Sequence, residues 1–320
     1  MFGFKSKNVD ESTRHAAHAG SWYPSSEKKL RSNLESYLST PSNTPTFSQQ
    51  SLPSSLTPSA IISPHAGYSY SGPTAGATYT LGLKSRLLNP SLPPLRTIYV
   101  LHPSHHVYVP GIAISDCSTI RTPLGDLTVD NRKQKQIGEQ LTSLGVSVQT
   151  MSSKTDASEH SSEMQYPLIK HLIGDLPITI VPIMIGSASQ SSLIGTVLSP
   201  HIFSPSSFTV ISSDFCHWGN RFQYTPFIDS KKISQSITEL DGEGMTEIER
   251  VSPGGFAEYI KRTSNTICGR CPIECFLQAA AIRVGEGKEC VIKFVRYEKS
   301  SEVEDSNDSS VSYAGGVCYI

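Results

Sequence analysis

Three stretches that the sequence predicts as buried β-strands are each followed at once by side chains able to bind metals or transfer protons. The strands are predicted at residues 60–63, 97–101 and 208–213. The side chains that follow them are His65, then His105 and His106, and then Asp214, Cys216 and His217. Imidazole is the commonest metal ligand in proteins, and a histidine near a carboxylate can also transfer protons. The pattern therefore predicts a metal site or an acid–base site.

A layered α/β domain would bring these residues together. Predicted strands and helices alternate along the chain, which favours a single α/β domain with a central mixed sheet over an all-helical or all-β fold. Ligands of open α/β sheets bind outside the carboxyl ends of the strands. If the strands share one rim, His65, His105 and His217 converge in one cleft. The alternative is structural, with Asp214 capping a turn and His217 simply satisfied by hydrogen bonds.

A run of thiols forms a second candidate group. Its members are Cys268, Cys271 and Cys275, in a C-x2-C-x3-C pattern. A zinc or iron–sulfur site of four cysteines would need a further cysteine nearby, and Cys290 and Cys318 stand apart. We therefore predict one functional thiol, Cys268, and a core position for Cys275, while the role of Cys271 stays open.

Two other kinds of chemistry are conceivable from the residue types. Cys268, His217 and Asp214 could form a nucleophile, a base and an orienting carboxylate, although no nucleophile signature surrounds the cysteine. The Gly-x-Gly at 242–244 lacks the third glycine and a clear strand–helix context, so no nucleotide cofactor is expected.

Composition narrows the classes of partner. The 320 residues carry a net charge of −1 and a pI near 6.8, which gives no basic field for nucleic acid or an anionic membrane. No apolar run approaches the roughly 20 residues of a membrane span. The polar N-terminus lacks a signal-peptide pattern, and the seven cysteines are an odd number. We expect reduced thiols and a location in the cytoplasm, and a nuclear location is also compatible with the sequence.

The chain is expected to form one domain. Residues 1–14 are predicted to be a flexible polar arm and residues 15–320 the folded domain. Two long loop inserts are expected at 40–59, which is rich in Ser, Thr and Pro, and at 88–95. Residues 124–130 are interpreted as a turn-rich connection.

The chain contains eight distinctive motifs in order: HAGSWY (18–23), PHAGYSYSG (64–72), PSHH (103–106), RTPLGDL (121–127), EHSSEM (159–164), SSDFCHWG (212–219), NTICGR (265–270) and DSSVSYAGG (308–316). Together these motifs resemble the Memo family, named for a mediator of ErbB2-driven cell motility. The resemblance covers nearly the whole chain, from about residue 15 to residue 316. It implies a fold similar to that of class III extradiol dioxygenases, which are non-haem iron enzymes that cleave catechol-type rings.

The resemblance also implies site residues. His65 and His105 correspond to metal-binding histidines, and Cys268 stands where the dioxygenases have a ligating carboxylate. His217 corresponds to a catalytic acid–base histidine, with Asp214 beside it. The implied cofactor is one copper or iron ion, and the implied roles are redox activity and signalling in cell motility. A soft thiolate favours Cu(I) or thiolate-bound iron, so ring cleavage is less expected than in the dioxygenases.

A peptide-binding role is the second hypothesis from the resemblance. The cleft of animal members is associated with phosphotyrosine peptides, such as those of a receptor tail. The residues expected in this cleft are His18, Trp22, Tyr68, Tyr70, His106, His160, Cys216 and Arg270. A ring-cleaving dioxygenase is the third hypothesis.

Overall fold

The computed structural model describes residues 12–43 and 56–320. Residues 1–11 of the predicted arm and residues 44–55 of the predicted insert lie outside the described residues. The strands are β1 (Thr13–Arg14), β2 (Pro58–Ser63), β3 (Thr97–His102), β4 (Ile112–Ser115), β5 (Thr119–Thr122), β6 (Gly125–Val129), β7 (Val148–Met151), β8 (Thr179–Ile185), β9 (Ser207–Ser212), β10 (His217–Gly219), β11 (Val291–Lys299) and β12 (Ser309–Tyr319).

Helices fill most of the remaining described chain. They are α1 (Glu27–Leu38), α2 (Tyr68–Tyr79), α3 (Ser85–Leu88), α4 (Asn131–Ser143), α5 (Ser153–Ser158), α6 (His160–Glu163), α7 (Tyr166–Ile173), α8 (Ser191–Ile202), α9 (Ile233–Glu249), α10 (Pro253–Thr263) and α11 (Arg270–Gly285). A π-helical turn at Thr80–Lys84 joins α2 to α3, and a 3-10 turn at Asn220–Phe222 follows β10.

The strands form one mixed sheet, which confirms the predicted α/β class. Its order is β1-β5-β6-β8-β3-β9-β2-β12-β10, with β11 paired to β12, and with β4 between β7 and β8. The central strands β8, β3, β9 and β2 are parallel neighbours. Strand β12 runs antiparallel to β2. The parallel centre places the carboxyl ends of four strands at one edge, where a site is expected.

Alternate residues of the central strands pack into two cores on opposite faces of the sheet. Ile62 and Leu101 join the core that contains α4, α8 and α11, whereas Ile61 and Val100 join the core that contains α1, α2 and α7. Successive side chains of a strand point to opposite faces, and a strand covered on both faces is apolar throughout. This explains why these strands appear as continuous apolar runs in the sequence.

Two expectations for the chain need correction. Residues 124–130, interpreted as a connection, contain strand β6, because Thr128 and Val129 pair with β8 and β5 forms a hairpin with β6. The last residue of the predicted arm, Arg14, is fully buried and belongs to β1. The composition of the N-terminal segment does not reveal that this strand pairs with the distant strand β5.

Candidate metal centre

The parallel strands β2, β9 and β3 lie side by side, and each delivers a candidate residue to the same edge of the sheet. His65 follows β2, Asp214 follows β9 and His105 follows β3. The His65 and His105 rings lie edge to face, with centroids 5.2 Å apart. The convergence expected from the strand ends is therefore present in the structure.

A hydrogen-bond network orients the buried His65 ring. The Ser212 hydroxyl donates to the backbone oxygen of Ser161 at 2.6 Å, so its single proton is used there. His65 Nδ1, 2.8 Å from the same hydroxyl, must then carry a proton and donate it. This leaves the lone pair of Nε2 available. Burial, reinforced by the neighbouring His105, lowers the pKa of His65 well below its ordinary value, so the ring stays neutral.

His105 is oriented by a carboxylate. The Glu159 side chain accepts a hydrogen bond from His105 Nδ1 at 2.8 Å and another from the His105 backbone N–H at 2.7 Å. Burial alone would raise the pKa of Glu159, but these bonds outweigh it and hold that pKa far below the ordinary value. Glu159 is therefore ionised, and His105 presents the lone pair of Nε2. Carboxylates commonly support metal-binding histidines in this way.

A third imidazole joins the first two. Among the described residues, His65, His105 and His160 form a group whose ligand atoms all lie within 4.8 Å of one another. The His160 ring stacks on the His105 ring, with ring centroids 4.4 Å apart. The Trp22 ring lies on His160, with ring centroids 4.5 Å apart. Burial, followed by the nearby His105, lowers the pKa of His160 to about 3. The His65 and His160 rings can thus be neutral and able to bind a cation at physiological pH.

Cys268 lies against His65. Its Sγ is 3.1 Å from His65 Nε2 and accepts a hydrogen bond from the Asp214 backbone N–H at 3.2 Å. Burial, together with the Asp214 carboxylate, raises the pKa of this thiol. Cys268 does not belong to the three-imidazole group, so the structure offers His160 and Cys268 as neighbouring candidates for a third ligand.

The predicted proton-transfer residues line the same region. Asp214 accepts a hydrogen bond from the His65 backbone N–H at 2.8 Å, and burial raises its pKa to about 7. His217 Nδ1 lies 2.9 Å from the Phe215 backbone oxygen and 3.2 Å from that of Thr266. Both partners are acceptors, so Nδ1 carries the proton and Nε2 keeps its lone pair.

A cleft of about 390 Å³ opens over these groups. Its walls include His105, His217, Phe222, Cys268 and Arg270. Arg270 is exposed and begins α11, so it brings a positive charge to the cleft.

Other predicted cleft residues lie around the three imidazoles. His18 and His106 have ring centroids 6.0 and 6.1 Å from that of His160, and Trp22 lies 5.5 Å from His18. His18, Trp22, His106 and His160 therefore form one cluster at the edge of the site.

Three cleft residues predicted from the sequence lie elsewhere. Tyr68 is buried in the core, where its hydroxyl donates to the Met164 backbone oxygen at 2.8 Å. Cys216 is fully buried beside Trp218, because it points away from the side occupied by its neighbour His217. Tyr70 is 61% exposed and lines a separate groove.

Sequence reasoning missed the roles of two neighbours in the EHSSEM motif. No sequence pattern singles out Glu159, although it is the carboxylate that holds His105. The resemblance implies a cleft position for His160 but does not place it among the metal ligands, whereas the structure groups it with His65 and His105. An adjacent Glu–His pair at the start of a predicted helix was the available signal, but only the fold brings it to the strand ends.

The donor atoms suit a transition metal. Neutral imidazole nitrogens bind copper, iron, nickel and zinc, and a thiolate adds preference for soft ions. His65 and His105 each have one nitrogen held by a hydrogen bond and the other available. The donor set therefore fits a transition-metal ion.

Comparisons with known proteins identify relatives across the whole described domain. The family model described as "Memo-like protein" matches residues 14–317. The chain is 40% identical to the Caenorhabditis elegans protein memo-1 homolog over 97% of this chain and 83% of that protein. It is 39% identical to the human protein MEMO1 over 95% of this chain and 96% of that protein.

A structural comparison gives a more distant likeness. An uncharacterized Escherichia coli K12 protein of known crystal structure covers 80% of this chain at 13% identity, with a TM-score of 0.44. Among the described residues, no helix is long and apolar enough to cross a membrane.

Proposed function

The chain belongs to the Memo family, and on this premise we propose that His65, His105 and Cys268 hold one copper or iron ion used in redox chemistry. The bound ion would supply one-electron transfer. The proposal includes a cytoplasmic or nuclear location and a link to cell-motility signalling.

One observation carries the proposal. The hydrogen bonds at Nδ1 leave the Nε2 lone pairs of His65 and His105 available, and the Cys268 sulfur lies 3.1 Å from His65 Nε2. Two oriented imidazoles and an adjacent thiol form a donor set for copper or iron.

The surrounding side chains have distinct parts in this proposal. The Cys268 thiol, whose pKa is raised by burial, would lose its proton when the cation binds, so binding is coupled to proton release. His217 Nε2 is available to accept a proton from a ligand in the cleft. Arg270 would attract an anionic ligand to the mouth of the cleft.

Metal content of the full-length protein, purified without oxygen, tests the proposal. We expect near-stoichiometric copper or iron in the wild type and loss of the ion in His65→Ala and Cys268→Ser. His201→Ala is the matched control, because His201 lies on α8 and contacts Gln140 away from the cleft.

His160→Ala separates the two candidates for the third ligand. The proposal expects that this variant keeps most of the metal. Full metal in Cys268→Ser combined with loss in His160→Ala would show that the ligands are the three imidazoles, and the assignment of Cys268 would be wrong.

A second candidate function is recognition of a phosphotyrosine peptide. Trp22 and the His18 and His160 rings form an aromatic cluster, and Arg270 adds a positive charge at the adjacent cleft. Aromatic and arginine side chains are typical anchors of peptide interfaces. Titration of metal-free protein with phosphotyrosine peptides should give saturable binding that Arg270→Ala weakens. Equal binding of the unphosphorylated peptides would contradict this function.

Ring cleavage is a third candidate. It is favoured by the position of His217, which faces the cleft beside Cys268 and His105. Oxygen consumption with a panel of catechols after addition of Fe(II) tests it, and no uptake above the metal-only control would exclude it.

A further inference from the structure

Two cysteines outside the candidate metal centre lie close together. The sulfur atoms of Cys290 and Cys318 are 3.5 Å apart, although the residues are separated by 28 positions in the chain. Cys290 immediately precedes β11, and Cys318 lies in β12, the strand that pairs with β11. The sheet itself therefore brings the two thiols together.

The two thiols differ in access to solvent. Cys318 is 2% exposed, and the Ser59 hydroxyl lies 3.8 Å from its sulfur. Cys290 is half-buried and can be reached from solvent. A small thiol-reactive molecule would therefore meet Cys290 first.

The groups around the two cysteines also indicate which of them acts as the nucleophile. The hydrogen bond with Cys318 lowers the pKa of Cys290, and the nearby Arg283 guanidinium contributes in the same direction. Arg283 is held there because its Nε donates to the Glu289 backbone oxygen at 3.0 Å. A thiol with thiolate character is the better nucleophile.

We propose that Cys290 and Cys318 are a redox-active pair that a low-molecular-weight disulfide, such as glutathione disulfide, converts into an intramolecular disulfide. The Cys290 thiolate attacks one glutathione sulfur, forms a mixed disulfide and releases one glutathione thiolate. Cys318 then attacks the Cys290 sulfur and releases the second glutathione, which takes up the Cys318 proton. Two protein thiols are oxidised and one glutathione disulfide is reduced to two thiols.

Formation of the disulfide requires one of the two cysteines to move. A disulfide requires the two sulfurs to approach to about 2.05 Å, so one side chain must move. Cys318 is held on both sides, by Ile292 of β11 and Ala60 of β2. Cys290 precedes the first paired residue of β11 and can adjust. The required movement therefore falls on Cys290.

Peptide mapping of the oxidised full-length protein tests the proposal. Reduced protein is equilibrated with excess glutathione disulfide, remaining thiols are blocked with N-ethylmaleimide, and the protein is digested without reductant. We expect a Cys290–Cys318 cross-linked peptide that dithiothreitol separates. The wild type alone can therefore give the decisive result, even if a variant fails to fold.

Variants and thermal unfolding provide the controls. Cys290→Ser and Cys318→Ser should abolish the cross-link, whereas Cys271→Ser, which alters a half-buried thiol outside the pair, should retain it. Oxidation should raise the Tm of the wild type by several degrees but not that of the two pair variants, because the cross-link restricts the unfolded chain. Glutathione bound to Cys290 without a cross-link, or no reaction at either thiol, would overturn the proposal.

Discussion

Both oxygens of the Glu159 carboxylate hold His105: Oε1 lies 2.8 Å from the ring Nδ1 and Oε2 lies 2.7 Å from the backbone nitrogen. One side chain thus fixes the orientation of the imidazole and the path of the loop after β3. Glu159 also accepts the Ser161 backbone N–H at 2.9 Å. The carboxylate therefore joins the strand end to the helix that carries His160.

Replacing Glu159 by glutamine should weaken metal binding by about 10–100-fold, the usual effect of losing such a partner. The glutamine amide cannot accept all three of these hydrogen bonds, and its NH2 group would face backbone N–H groups. Competition of the purified protein with a chelator of known affinity measures the effect. Glu298→Gln is a control on β11, where Glu298 contacts Thr74. Equal affinity in the two variants would contradict the supporting role of Glu159.

Gly269→Ala should displace Cys268 and lower stability by about 1–3 kcal/mol, the typical cost of overpacking. A Cβ at position 269 would clash with the Ser213 Cβ and lie 2.6 Å from the Ser212 backbone oxygen. Gly254→Ala is the matched control, because nothing lies within 4 Å of its added Cβ. Urea unfolding and metal content should both change in the first variant only. An unaltered Gly269→Ala protein would show that this close approach is not required.

Arg14→Met should destabilise the protein by about 3–5 kcal/mol, because it leaves buried carboxylates without their partner. The buried guanidinium contacts Asp156 at 2.9 Å and Glu163 at 2.7 Å. Arg31→Met removes an exposed helical ion pair with Glu27 and should cost only about 0.3–0.5 kcal/mol. Chemical unfolding of both variants measures the difference. Equal losses of stability would contradict the special role of Arg14.

The sequence predicted the parts of the site that depend on local pattern. Apolar runs followed by His65, His105 and Asp214 indicate buried strands, because strands covered on both faces are apolar throughout. The parallel order of β2, β9 and β3 then brings those residues to one edge. The apolar runs and the polar residues that follow them are sufficient to predict that these residues lie at strand ends.

Contacts between distant segments could not be predicted in the same way. Arg14 appeared to belong to a polar arm, yet its ion-pair partners lie 142 and 149 residues away. The proximity of Cys290 to Cys318 depends on how β11 pairs with β12. Tyr68 lies in a motif of the expected cleft, but the first turn of α2 directs it into the core. Such placements depend on contacts between distant segments, and these contacts produce no pattern in the local sequence.

His102 should make stability fall as the pH drops below about 6.5, the pKa of an unfolded histidine. Burial lowers the pKa of His102, so the folded state resists a proton that the unfolded chain binds, with a slope of up to about 1.4 kcal/mol per pH unit. His102→Asn, which can keep a donor toward the Pro103 oxygen, should flatten this slope in unfolding curves recorded with excess chelator. His106→Asn, at an exposed ring, is the control. Parallel curves for His102→Asn and the wild type would mean that other buried groups govern the acid response.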